Sequence, residues 1–173
     1  MRVAWIAFAL AAALAIQTTL VRMVAGTGAP LDLVLMVVIV VAIVNGPRAG
    51  LWTGTCGGLL QDALSGGVIG MGGLAKTVVG YLGGQFAAQF MVTRLWHKAL
   101  VFVGGSLLHA ALFVGGYGLL FDDRVGVTPR DLLMQAAANS VVGLMVAVGL
   151  QTIPDEVERK RLRGRWPGGR HVE

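Results

Sequence analysis

The chain has 173 residues, 55% of them hydrophobic and 13% charged, with a formal net charge of +5 and a mean hydropathy of +0.74. Soluble domains carry about 25% charged residues, so a soluble globular class is excluded and a polytopic membrane protein is expected. Six of the 14 basic residues fall in the last fifteen positions, so the positive balance describes a tail rather than a nucleic-acid-binding surface.

A helix needs about 20 apolar residues to cross the hydrocarbon, because only internally bonded backbone survives there. Six such helices use about 120 residues, leaving short loops, one tail and no room for a separate soluble catalytic domain. The expected organisation is an all-α transmembrane domain over residues 1–153 and a basic cytoplasmic tail over 154–173. The lone Cys56 cannot form an intramolecular disulfide and carries no information on redox compartment.

The opening "MRVAWIAFALAAALAIQTTLV" imitates a signal peptide, but its apolar run is longer than a usual signal core. It is expected to be a retained first helix, about 3–24. Glycine and proline in "AGTGAP" break it. A second helix is expected to begin near Asp32, whose carboxylate suits the positive end of the helix dipole. In "NGPR", Gly46 ends that helix and Pro47 opens a third, about 47–64. The fourth is expected over about 73–92, followed by a basic loop "TRLWHK" (93–98), and the fifth over about 99–120. After "FDDRVGV", "TPRD" opens the sixth: Thr128 can cap it and Pro129 fits its first turn. It runs to about Gln151.

With both termini cytoplasmic, ten basic residues fall inside and four outside or within spans, which favours that orientation. The tail residues Arg159, Lys160, Arg161, Arg163 and Arg165 serve as a positive-inside anchor, and a basic run beside a membrane can also bind anionic lipid headgroups.

The glycine-rich stretch "GGLLQDALSGGVIGMGGLAKT" (57–77) carries most of the chemical ambiguity. Its "GMGGLAKT" approaches a phosphate-binding loop, but Ala75 replaces the last glycine and a hydrophobic helix precedes it where that motif needs a buried strand. Nucleotide binding is therefore not expected. Asp62, near the end of the third helix, and Lys76, near the start of the fourth, each oppose their own helix dipole. A tight hairpin brings both to one membrane face, where a structural pairing is the favoured expectation. Turning toward the interface or a partner is the alternative.

Gly54/Gly58 and Gly80/Gly84 recur at four-residue spacing, as do Ala7/Ala11/Ala15. Small residues so placed allow close helix approach, within the protein or against a partner helix. Gln17, Thr18, Thr19, Gln85, Gln89, His109, Gln135 and Asn139 are polar positions inside spans, suited to interhelical hydrogen bonds. His109 has no ligand-spaced neighbours, and neither a Ser/His/Asp set, nor a carboxylate pair, nor an HExxH helix occurs. No cofactor, metal or catalytic residue is expected.

The order of residues over 29–84 resembles the MreD family of rod shape-determining membrane proteins. The matching features are Pro30 and Asp32 at a helix entry; Gly46, Pro47 and Gly50; Gly58 with Asp62; Ser65, Gly66, Gly67 and Gly70; then Gly80, Tyr81 and Gly84. "VIGMGG" departs from the usual pattern. The resemblance implies a non-enzymatic component of the bacterial inner membrane that binds MreC. Through MreC it would influence RodA and a class B penicillin-binding transpeptidase, alongside MreB. It also implies a fold similar to the substrate-binding components of energy-coupling-factor vitamin transporters. A rival reading is such a transporter subunit, with Asp62, Lys76, His109 and Asn139 lining a pocket.

Overall fold

The computed structural model describes residues 2–23, 31–66, 68–90, 95–121 and 129–151. They form six α-helices: α1 (Arg2–Met23), α2 (Leu33–Asn45), α3 (Pro47–Ser65), α4 (Met71–Phe90), α5 (Leu95–Phe121) and α6 (Pro129–Gln151). The tail, with Arg159, Lys160, Arg161, Arg163 and Arg165, lies outside the described residues, as do Thr128 and the "FDDRVGV" loop after its phenylalanine. The expected basic loop at 93–98 is shorter than its sequence suggested, because α5 already begins at Leu95. Leu95–Lys98 contain no glycine or proline to stop a helix.

Punctuation residues explain most boundaries. Gly46, at φ 90°, accepts a left-handed backbone and lets α2 turn directly into α3, whose first residue is Pro47. Gly66, at φ 67°, ends α3 in the left-handed conformation.

The outward surface is apolar. Trp5, Phe8, Val44, Trp52, Leu64, Ile69 and Leu119 all stand exposed, whereas Asp32, Lys76, His109 and Asn139 are buried. That inversion is what a hydrocarbon solvent selects. Among the described residues, one helix qualifies as a span by length and composition alone: Trp96–Leu119, 24 residues with mean hydropathy 1.8. Val3–Thr19, Leu33–Asn45 and Met134–Val146 are shorter apolar stretches. The third and fourth helices fall short of that test because glycine and polar residues replace bulky apolar ones along their shared seam.

Along that seam the two helix backbones come into direct contact. A Cβ added to Gly54 would run into the Lys76 carbonyl, one on Gly58 into the Gly73 backbone, and one on Gly84 into Pro47; Gly50 and Gly80 face each other. Gly54, Gly58, Gly80 and Gly84 are therefore occupied by the α3–α4 contact itself. Thr55 and Thr77 hydrogen-bond across it at 2.8 Å. Next to it, Leu35, Ile39, Val79, Val101 and Phe102 form one apolar cluster, and Leu10, Ala13, Leu14 and Val34 form another. The α5–α6 hairpin packs on α2 and α4, while α1 packs on α2 and α3.

Candidate functional site: a buried polar cap on a short helix

α2 has 13 residues, about 20 Å at the standard rise, which is less than a bilayer core of about 30 Å. Its first turn is sunk inside the bundle. The residues that meet it come from well inside other helices: Gln17 from α1, Lys76 from α4, His109 from α5 and Asn139 from α6.

A helix start leaves four backbone N–H groups without intrahelical partners, and in hydrocarbon each would be costly. Here side chains satisfy all of them. The Asp32 amide donates to Asn139 Oδ1 at 3.0 Å. The Leu33 and Val34 amides share Gln17 Oε1 at 3.0 and 3.3 Å. The Leu35 amide donates to Asp32 Oδ1 at 2.9 Å. The helix ladder then begins, with the Met36 amide donating to the Asp32 carbonyl. Two helices, α1 and α6, thus complete the end of a third, and its own Asp32 carboxylate caps the last amide.

The second Asp32 oxygen faces a cation. Lys76 Nζ lies 2.7 Å from Asp32 Oδ2, both side chains being at most 5% exposed. His109 Nε2 lies 3.1 Å from Lys76 Nζ and 3.9 Å from Asp32 Oδ2. An ammonium has no lone pair, so in its charged form it donates to Nε2. Asn139 Nδ2 donates to Ser106 Oγ at 3.2 Å, which fixes the amide that holds the Asp32 N–H. From His109 a ring stack descends α5 through Phe113 to Tyr117. The Tyr117 hydroxyl accepts the Val68 amide in the α3–α4 turn.

The expected Asp62–Lys76 pairing is corrected. Asp62 Oδ2 instead accepts the Gly70 and Gly73 amides at 2.9 and 3.1 Å. Its charge at the end of α3 is offset by the positive start of α4, while Lys76 finds its counter-ion on α2. Both dipole conflicts read from sequence are resolved, by different partners from the one expected.

Lys76, His109 and Asn139 do come together, but around Asp32 rather than Asp62, and their polar atoms engage one another. The side chains named for a transporter pocket therefore do not line one space. Gln17 and Ser106 join the constellation. Gln17 is visible in sequence as an in-span polar residue, but its capping role is not; Ser106 carries no signal beyond being a small polar residue in an apolar helix. Among the described residues, no group of three or more His, Cys, Asp or Glu could hold a metal ion.

No curated protein and no solved structure matches the chain significantly. Residues 1–151 match the family described as rod shape-determining protein MreD. That match spans every element above, from α1 to the end of α6, and the chain belongs to the MreD family of rod shape-determining membrane proteins.

Proposed function

We propose that this chain is a non-enzymatic, six-span adaptor of the bacterial inner membrane, with both termini cytoplasmic and the basic tail against the anionic leaflet. It binds MreC and, through MreC, helps set the activity of RodA with its class B penicillin-binding transpeptidase, alongside MreB. The family match over residues 1–151 is the observation that carries this reading. The chemistry is compatible with it, since the polar groups gathered around Asp32 hold one another in place.

Of the two uses that the glycine spacing allowed, packing within the protein is the one that fits Gly54, Gly58, Gly80 and Gly84. They are covered by the α3–α4 contact, so a partner helix cannot reach them. An apolar groove of about 230 Å³ runs between α4 and α5, lined by Leu82, Gly83, Phe86, Leu100, Gly104 and Leu108 among others. Gly104, and farther along α5 Gly115 and Gly118, have nothing within 4 Å of where a Cβ would sit. A membrane helix can approach closely there, and we assign MreC's transmembrane segment to that groove.

Photo-crosslinking in intact membranes tests this reading. A crosslinker at Leu82 or Leu100 is expected to capture MreC, and one at Trp5 on α1 is not. Equal capture from all three positions would move the contact away from the groove. Loss of co-purification with MreC under every condition would defeat the adaptor reading itself.

A further inference from the structure

The α5–α6 hairpin meets the rest of the bundle along α2 and α4, and among the described residues no Cα of α5 or α6 lies within 8 Å of α1 or α3. Two kinds of contact make that seam. One is apolar: Val101 and Phe102 against Leu35, Ile39 and Val79. The other is polar: His109 beside Lys76 and Asp32, Asn139 on the Asp32 amide, and the Tyr117 hydroxyl on the Val68 amide before α4.

In a bilayer, apolar helix faces gain no hydrophobic drive from meeting each other, because lipid chains are equally apolar. The docked position is therefore held by close packing, such as Gly105 against Ile39 and Val79, and by the polar contacts. Stability accounts for Asn139, which satisfies the Asp32 amide, but not for the choice of a charged pair beside it. A buried ion pair is often no better than packed apolar side chains of the same volume, and this chain builds such a layer one turn from Lys76, at Val79. What charges add is an all-or-none character, since a half-satisfied buried network is costly and its groups must be either paired or resolvated.

We propose that the α5–α6 hairpin is a movable block, latched to the α1–α4 block by the Asp32, Lys76, His109 and Asn139 set. Release of the latch widens the α4–α5 groove, whose two walls belong to different blocks. The α3–α4 glycine seam and the Asp62 staple keep the larger block rigid. The movement stands on the geometry alone; it rests on the adaptor reading only for the identity of what enters the groove. A helix wedged between α4 and α5 binds the released state better, so occupancy and latch are coupled.

The test uses the full chain in nanodiscs, in a Cys56→Ser background, because Cys56 is free and exposed. Spin labels at Trp52→Cys on α3 and Met145→Cys on α6 report the two blocks. A control pair at Val44→Cys and Leu64→Cys lies within the larger one; all four positions are exposed. Two distance populations are expected in the parent protein. His109→Leu with Asn139→Leu removes the hairpin's half of the latch while keeping the Asp32–Lys76 pair. It is expected to shift the population ratio toward the longer distance by about tenfold, with the control pair unchanged.

An unchanged ratio with an unchanged control overturns the proposal. If the control pair broadens as well, Ser106→Ala decides, because it loosens only Asn139: a shifted ratio supports the latch and an unshifted one overturns it. MreC addition forms a separate arm. A shift caused by MreC extends the latch to that partner, and failure of MreC to bind removes the adaptor reading while leaving the distance result intact.

Discussion

Lys76 forms its ion pair with Asp32, 2.7 Å away on α2, and not with Asp62, the carboxylate nearer to it in the chain. Asp32 has two duties at once, because one oxygen caps α2 and the other meets the ammonium. Separating these duties is possible, since asparagine also caps well. Asp32→Asn therefore keeps the cap and strands the lysine. It is expected to destabilise the protein by about 3–5 kcal/mol, as does removal of one member of a buried pair elsewhere. Asp32→Asn with Lys76→Met is expected to recover most of that loss. Thermal unfolding of the purified protein, followed by loss of the monodisperse species, reads the difference. A double variant as unstable as the single one would contradict the pairing.

Gln17 makes a second, independent prediction. Its Oε1 is the acceptor for two amides at the start of α2. Gln17→Leu leaves both without a partner, at about 1–3 kcal/mol for each buried unsatisfied group. Gln17→Glu keeps an acceptor oxygen and is expected to be milder. Hydrogen exchange at Leu33 and Val34 is the direct measurement, with faster exchange in Gln17→Leu and near-parent exchange at amides of α4.

The Asp62 staple is predicted to be local. Asp62→Ala is expected to cost about 0.5–2 kcal/mol, the usual range for a lost cap, and to speed exchange of the Gly70 and Gly73 amides. Asp62→Asn retains a capping oxygen and is expected to lie between the two. Neither change touches the Asp32–Lys76 pair, so exchange at the Leu35 amide is expected to stay at its parent rate.

Glycine substitutions are predicted to divide by location. Gly58→Leu and Gly84→Leu drive a side chain into the Gly73 backbone and Pro47 respectively, so the yield of folded protein is expected to collapse. Any loss of partner binding would be secondary to that. Gly104→Leu meets open space and is expected to fold normally while weakening retention of MreC. Size-exclusion profiles beside co-purification separate the two outcomes.

These residues also show where the sequence was legible. Helix positions followed from glycine, proline and cap residues, which act locally: Pro47 at the first position of α3 and Gly46 between two helices are read from adjacent positions. That α3 and α4 each carry a face open to close approach was visible in the four-residue spacing of Gly54/Gly58 and Gly80/Gly84, because spacing fixes a helix face. Which surface would cover that face was not visible. The Asp32–Lys76–His109 contact was hidden for a different reason. It depends on how deep each helix sits in the bundle, and no local pattern records depth. Asp62 looked like the natural partner of Lys76 because the hairpin brings them to the same end. The positive start of α4 was the stronger claimant on its carboxylate.

The short α2 lies beside the long α5, whose 27 residues extend about 40 Å. A hydrocarbon slab of about 30 Å accommodates the longer rod by tilting, kinking or local thickening, and the shorter one by other means. A change of bilayer thickness is therefore expected to act on α2 and α5 in opposite senses, on either side of the Asp32–His109 contact.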